Sequence, residues 1–374
     1  QRYNAAVALE TVKVLRCRGW TIPDQAVREG LARTRWPARM EVLCRDPLFL
    51  LDGGHNPQCA QALARLLEDD LPGQKVTFLL GVLSDKDYGA MLETVLPFAA
   101  GFVCAAPDSP RAMSAEALAD FIRGKCDLPV QACADTAGAI SAALSTGRPV
   151  VAFGSLYLAG AVRSEFHRVY RKWLRREKIW ARDALSPEER ARRSKTVVRH
   201  LLASPKFQAA RTVLLYRATR GEVRLEGLEA APEARGKQLA YPLCISGTEM
   251  IALVPQDDDA WVDGYCGIRE PDRSRSRLVS PEEIDLVICP CTAFDEHCNR
   301  MGMGAGFYDR YLPQCTHAVT AAVAFQCQRA EQLPVSPWDR PMDLVVTEEQ
   351  VYRRKPETKT QEVQKGDCNE SNEG

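Results

Sequence analysis

Phe294–Leu312 reads FDEHCNRMGMGAGFYDRYL, and the placement of this stretch decides what kind of sheet surrounds it. It follows Ile284–Cys289, IDLVIC, a short apolar run of the kind that lies inside a parallel sheet. Its last residues, from Phe307 to Leu312, read as the opening of a helix. Between strand and helix stand Gly302, Gly304 and Gly306, spaced two apart. That spacing lets the backbone turn its N–H groups inward and approach an anion without Cβ clashes. A helix start adds the positive end of its dipole, and Arg300 adds a full charge. Asp309, one turn inside, places a carboxylate where it can hold a divalent cation on the same anion, because Mg²⁺ takes one or two carboxylates plus phosphate oxygens.

The order Phe-Asp, Asn-Arg, Gly-x-Gly-x-Gly, Phe-Tyr-Asp resembles the signature of the 5-formyltetrahydrofolate cyclo-ligases, also called methenyltetrahydrofolate synthetases. The resemblance implies that Arg300, Met301, Gly302, Met303, Gly304, Ala305, Gly306, Phe307 and Tyr308 face ATP. It implies that Tyr308 also lies against the folate and that Asp309 helps to hold Mg²⁺. Arg300, Tyr308 and Asp309 are therefore the catalytic candidates. The chain departs from the signature at Cys298 and Ala305, where glycine is usual or common, and at Phe307, where tyrosine is usual. The first two departures are expected to stiffen the loop. The third deletes a hydroxyl and leaves Tyr308 as the remaining phenol.

Composition narrows the surroundings. A chain of 374 residues is long enough for more than one core, and two are expected. Lys plus Arg and Asp plus Glu both number 49, so neither nucleic acid nor an anionic membrane is expected as a partner. No apolar run approaches the roughly 18 residues of a membrane span, and no basic start precedes an apolar stretch. The 14 cysteines are scattered without a CxxC, a pattern that fits a reducing cytoplasm better than disulfides or zinc.

Upstream, Phe49–Leu51, Val76–Leu80, Gly101–Cys104, Pro129–Gln131 and Val150–Phe153 read as strands. Helices are expected between them, near Pro57–Glu68, Lys86–Leu96, Ser114–Arg123 and Ala137–Leu144, and two more at Asn4–Arg16 and Asp24–Arg33. This alternation is that of a doubly wound parallel sheet, with ligands beyond the carboxyl ends of its strands. Trp36-Pro37-Ala38-Arg39, Asp52–Pro57, Gly81–Asp87 and Phe153-Gly154-Ser155 resemble the C-terminal domain of folylpolyglutamate and dihydrofolate synthases over about residues 1–165. The resemblance implies that Asn4, Arg39 and Asp52 contact ATP, with His55 in the same motif. Read alone, His55 is also a turn histidine satisfied by backbone, Arg39 a surface charge and Asp52 a turn former. No GxxxxGK[ST] phosphate loop occurs in the 374 residues. This half is thus not expected to make a glutamyl bond by itself, and a missing N-terminal synthase domain is expected to precede Gln1 in a longer protein.

Leu156–Trp180 is a long helical candidate, increasingly basic after Arg163. Arg171 and Arg175 lie one turn apart, before a helix stop and a restart with Ser186 as N-cap and Pro187 at N1. This region resembles the cyclo-ligase N-terminus, which implies that both arginines reach ATP phosphates; Arg171 replaces the usual lysine. Glu222 aligns with a family glutamate that contacts the pterin, whose paired N–H donors suit a carboxylate. Leu239–Pro242 and Gly267–Pro271 are further landmarks, and Arg273–Arg277 reads as a solvated basic loop. Thr212–Tyr216, Ala318–Ala324 and Asp343–Thr347 read as strands. Asp339 matches the family's second magnesium-associated aspartate. From residue 354 the chain is polar and without apolar period, a disordered tail.

The expected architecture is α/β: two Rossmann-like three-layer domains with mostly parallel sheets, residues 1–165 and 166–353, then a tail of residues 354–374. The implied activity is ATP- and Mg²⁺-dependent conversion of 5-formyltetrahydrofolate to 5,10-methenyltetrahydrofolate, with ADP and phosphate released. A folate- or nucleotide-binding regulatory module without turnover is the alternative. A nicotinamide-binding unit is disfavoured, since no GxGxxG stands at the glycine loop.

Overall fold

Residues 2–264 and 268–355 are described by the computed structural model of the chain, which divides into two compact units, Gln1–Phe166 and His167–Gly374. Gly267 and the tail beyond Lys355 lie outside the described residues.

The first unit begins with helices α1 (Arg2–Cys17) and α2 (Asp24–Arg33). Its strands are β1 (Glu41–Arg45), β2 (Leu48–Leu51), β3 (Val76–Leu80), β4 (Ala99–Cys104), β5 (Val130–Ala132) and β6 (Val150–Phe153), in the sheet order β1-β2-β6-β3-β4-β5. All neighbours pair in parallel except β1 with β2. VTFLL and VVAF are buried at every residue, as strands covered on both faces must be. The covering helices are α3 (Pro57–Asp70), α4 (Tyr88–Val95), α5 (Ala115–Arg123) and α6 (Thr136–Leu144). Each starts where the side chain of Asn56, Asp87, Ser114 or Asp135 accepts an orphan backbone N–H. On α5 the buried residues Ala115, Leu118, Ala119 and Ile122 form one helical stripe.

β1 is absent from the sequence reading. Its EVLCR is only half buried at the sheet edge, so it lacks the solid apolar run that marks the inner strands. Helix α7 (Leu156–Asp183) runs three residues beyond its expected end. Leu158, Ala159, Val162 and Phe166 are buried, and the Phe166 ring meets Phe49 edge-on at 4.8 Å.

The second unit adds α8 (Pro187–Leu202), α9 (Pro205–Ala209) and α10 (Glu226–Glu229). Its strands are β7 (Thr212–Leu214), β8 (Gln238–Cys244), β9 (Met250–Pro255), β10 (Trp261–Asp263), β11 (Arg269–Pro271), β12 (Ser276–Val279), β13 (Leu286–Pro290), β14 (Ala293–Phe294), β15 (Arg300–Met301), β16 (Val319–Val323), β17 (Leu344–Val346) and β18 (Val351–Arg353). A short helix, α11 (Phe307–Tyr311), follows β15. The main sheet runs β12-β9-β8-β7-β13-β16-β17-β18, parallel from β8 to β17 and antiparallel at both margins. Its two faces bury alternate residues. Leu286 and Ile288 pack into one apolar cluster with Val213 and Ala321, while Val287 and Cys289 pack into the other with Leu214 and Ala322. Both units are thus α/β with mostly parallel sheets.

The stretch Arg273–Arg277 is not a plain loop: it forms a short 3-10 turn and enters β12, and its charges are paired, Arg275 with Asp257 and Arg277 with Glu283. No helix among the described residues is long and apolar enough to cross a membrane.

Candidate active site

β13 is the central strand from which the site grows. Beyond its end, the buried Gln328 amide donates to the carbonyls of Cys291 (2.7 Å) and Thr292 (2.9 Å), fixing where the chain leaves the sheet. The β14–β15 turn is tied by Asp295, which is fully buried and accepts from the N–H groups of His297 (3.0 Å), Asn299 (3.0 Å) and Leu333 (3.0 Å) and from the Asn299 amide (2.9 Å). Cys298 in this turn adopts φ +63, the left-handed region that favours glycine, while its side chain is fully buried. That accounts for the usual glycine: Cys298 carries roughly 1–2 kcal/mol of backbone strain, offset by its packing. Ala305 carries no such strain, because its φ is not positive.

The glycine loop needs its glycines. Gly304 sits at φ +117, and a Cβ there would lie 3.6–3.8 Å from the Arg175 guanidinium. Gly306 sits at φ +71 and a Cβ would come within 2.8 Å of Arg310. Gly304→Ala is expected to weaken nucleotide binding by about tenfold, since a side chain at that φ costs about 1–3 kcal/mol and the loop must shift to relieve it. Titration calorimetry with a non-hydrolysable ATP analogue checks this; unchanged affinity would remove the loop from the binding surface. The helix after the loop is shorter than its sequence suggests. α11 has 5 residues before a 3-10 turn, so side-chain cations and local N–H groups must supply most of the attraction for an anion.

Those cations are differently prepared. Arg300 is 5% exposed and donates to Asp309 Oδ1 at 3.0 Å and to the Pro290 carbonyl at 3.3 Å. Its guanidinium carbon lies 5.6 Å from the centre of the Tyr308 ring, and its Nε is buried without a partner. The Tyr308 hydroxyl is also buried and unpartnered, and burial pushes its pKa well above the ordinary value, so it stays a donor. Arg171 makes a bidentate pair with Asp339 and also donates to the Pro334 carbonyl at 2.6 Å. Arg175 donates through Nε to the Gly302 carbonyl at 2.9 Å and has no carboxylate partner among the described residues. Burial and the neighbouring Arg171 charge lower its pKa, against the raising effect of the Asp339 carboxylate.

Arg171, Arg175, Glu222, Arg300, Tyr308, Asp309 and Asp339 line one cavity of about 740 Å³, together with Gly302 to Phe307. Met301 does not; it is buried in β15 beneath the loop. Asp309 and Asp339 thus face the same space, but each is engaged by an arginine. Residues that the sequence reading did not assign also line the cavity. Arg217 stacks its guanidinium on Trp261 (4.3 Å) and Tyr241 (4.7 Å) and donates to both carboxylate oxygens of Glu229. Trp338 stands 69% exposed at the rim beside Asp339. Burial pushes the thiols of Cys289 and Cys291 up to about 12, so neither is a nucleophile at neutral pH.

Glu222 accepts the Thr219 N–H at 3.0 Å. Burial raises its carboxyl pKa above the ordinary 4.5, against the lowering effect of that N–H, Arg182 and Arg220. The folded chain therefore holds this proton more tightly than the unfolded chain. Stability from this residue is fully present below pH 4.5 and is lost as pH rises through the raised value. Glu222→Gln is expected to melt no lower than the parent at pH 7 and to bind folate about 10–100-fold more weakly, because an amide offers one acceptor oxygen and turns an NH₂ donor toward the second N–H of the pair. Thermal melts at pH 4 and 7 and a folate titration check both halves. A lower melt at pH 7 with intact affinity would reverse the assignment.

In the first unit Asn4 and Arg39 are exposed. Asp52 accepts the Gly54 N–H at 2.7 Å and the Met40 N–H at 3.0 Å, closing a loop in which Ala38 and Met40 both have positive φ. His55 Nδ1 is 3.1 Å from the Gly53 carbonyl. Asp52 and His55 therefore shape the turn at the carboxyl end of β2, the local role open to them in the sequence.

Residues 168–348 match the model of the 5-formyltetrahydrofolate cyclo-ligase family, and residues 38–156 that of the Mur ligase glutamate ligase domain. The chain is 31% identical to the 5-formyltetrahydrofolate cyclo-ligase of Escherichia coli K12 over 175 residues, 46% of this chain and 96% of that protein. It is 35% identical to the folylpolyglutamate synthase of Lacticaseibacillus casei over 167 residues, 44% of this chain and 37% of the synthase. The chain thus spans little more than a third of that relative. An NMR structure of Aquifex aeolicus 5,10-methenyltetrahydrofolate synthetase, 32% identical, aligns with 53% of this chain and 99% of its own at a TM-score of 0.46.

Proposed function

The chain belongs to the 5-formyltetrahydrofolate cyclo-ligase family, and from that premise we propose that residues 166–353 convert 5-formyltetrahydrofolate to 5,10-methenyltetrahydrofolate at the expense of ATP. The observation that carries this reading is the common cavity on which Arg175, Arg300, Tyr308, Asp309, Asp339, Glu222 and the glycine loop converge.

A formamide oxygen is a poor leaving group, so it must depart as something better than hydroxide. The formyl oxygen takes the terminal phosphoryl group of ATP, leaving ADP. N10 then attacks the activated carbon, the carbon–oxygen bond breaks, and phosphate leaves with the oxygen. Positioning and charge neutralisation dominate such a sequence. Arg175 and the loop N–H groups hold phosphate oxygens, and Arg171 joins them. Arg300, whose Nε lacks a partner, faces charge developing on the transferred group. The Tyr308 phenol lies along the folate, and Glu222 accepts from the pterin.

Asp309 fits a Mg²⁺ ion on the phosphates, since it keeps one oxygen outside its Arg300 contact; Asp339 faces the same cavity with both oxygens held by Arg171, and would join the ion when Arg171 turns to the phosphates. Mg²⁺ would supply charge neutralisation on the terminal phosphates. Residues 1–165 are proposed as a synthase-type C-terminal domain that makes no glutamyl bond alone, with the whole acting in a reducing cytoplasm. Methenyl absorbance followed with and without ATP tests the main reading. Product only with ATP supports it; folate binding without ATP consumption favours the regulatory module.

A further inference from the structure

The two carboxylates that face the phosphate end of the cavity are held differently. Asp309 gives Arg300 only its Oδ1, at 3.0 Å. Asp339 has both oxygens covered: Oδ1 accepts from Arg171 Nη2 at 3.2 Å, and Oδ2 accepts from Arg171 Nη1 and from the Ser336 N–H at 2.8 Å. The Arg171 and Asp339 side chains are 19% and 10% exposed, so solvent screens the pair little. Arg171 Nη1 is shared further with the Pro334 carbonyl at 2.6 Å and the Ser336 hydroxyl at 3.3 Å. One arginine thus straps residues 334–339, a stretch without helix or strand, to α7. Arg171, Arg175 and Arg300 stand at this end against Asp309 and Asp339 alone, so a divalent cation arriving by itself meets an excess of positive charge.

From this geometry we infer that Arg171 is an exchange latch: it covers Asp339 until a triphosphate offers the guanidinium another anion, so the cation site opens with the nucleotide and not before it. This regulation rests on the ATP-binding reading proposed above. A guanidinium fork matches phosphate oxygens as well as it matches a carboxylate, so Arg171 can trade one bidentate partner for the other. The trade leaves Asp339 partly buried without its counter-charge, which is costly unless a cation takes the released oxygens. Triphosphate and divalent cation therefore each favour the other's binding through a single side chain, and the coupling is reciprocal. Arg175, one turn along α7 and bound only to the Gly302 carbonyl, gives the incoming phosphates a first contact before Arg171 moves.

The test is binding of Mn²⁺ alone to the full chain, read from the electron paramagnetic resonance of the free ion; Mn²⁺ takes the same oxygen ligands as Mg²⁺. Arg171→Gln is expected to bind Mn²⁺ without nucleotide about tenfold or more tightly than the parent, and an added Asp339→Asn change to cancel that gain. Mn²⁺ should also raise the melting temperature of Arg171→Gln while leaving that of the parent unmoved. Asp339→Asn by itself is the reciprocal variant, and it decides alone if Arg171→Gln does not fold. Calorimetry with a non-hydrolysable ATP analogue in chelator should show about fivefold to tenfold tighter binding, because Arg171 no longer leaves a carboxylate behind, and Arg171→Gln should abolish that gain. Equal Mn²⁺ affinity in parent and Arg171→Gln, a metal-free nucleotide affinity unmoved by Asp339→Asn, a gain that persists without Arg171, or no nucleotide binding at all would overturn the inference. Partner exchange without methenyl formation would leave it standing and count instead against the proposed reaction.

Discussion

Asp309→Asn is expected to reduce turnover by about 10³-fold and to lower thermal stability by about 3 kcal/mol. Both effects trace to the same contact. Arg300 is almost entirely buried, and Asp309 is the carboxylate that balances it, with their side chains 3% and 17% exposed. Breaking a buried pair from one side leaves an uncompensated charge, at a cost of about 3–5 kcal/mol. The lower end applies here because an asparagine oxygen still accepts the Arg300 N–H. The loss of rate follows from the proposed reaction, in which Asp309 would fix the guanidinium against the reacting oxygens; one such preorganised group is worth about 10²–10³-fold. A companion Arg300→Lys protein keeps a charge but not the fork, and should lose a similar rate. Methenyl absorbance well below both melting points separates catalysis from folding. A wild-type rate in Asp309→Asn would end the assignment.

Arg175→Ala should cut kcat/KM for ATP by about 10²–10³-fold, with little change in melting temperature and little in the affinity for folate alone. Arg175 differs from its neighbours in having no carboxylate to leave stranded, so its removal costs the fold little. What it loses is the free cation beside the glycine loop, where a hydrogen bond to a charged group is worth about 1.5–3 kcal/mol and charge neutralisation adds to that. Arg175→Lys should recover part of the effect. Arg171→Ala offers a contrast. That change strands Asp339, so a drop in stability is expected with the drop in rate. If the alanine variant at 175 kept its ATP kinetics, the phosphate subsite would have to be sought elsewhere in the cavity.

Which parts of this architecture could be read in advance follows from how far apart the interacting residues lie. VTFLL, VVAF and LVICP announce inner strands because burial on both faces demands an unbroken apolar run. Ser186 announces a helix start because a cap is satisfied within three residues, and in the structure Asn56 and Ser114 cap their helices in the same way. The glycine loop was legible for the same local reason. EVLCR was not, since an edge strand is only half covered. Nor could the sequence show that Arg171 would take Asp339, or that Arg217 would lie between Trp261 and Tyr241. Those choices are made by the fold, which decides which of many arginines meets which carboxylate. The landmark Tyr241-Pro242 was in view, but only the register of β8 against β7 turns it toward the cavity.

Asp295 has a consequence for genetics. Its carboxylate joins the turn that launches the glycine loop to Leu333, and the residues just beyond Leu333 supply the carbonyl of Pro334 and the hydroxyl of Ser336 to Arg171. Two walls of the cavity are therefore registered through one buried side chain that lines neither. In a saturation screen for growth, Asp295 would score among the residues that touch ligand. Sensitivity there would report the alignment of two cavity walls and not a contact with substrate.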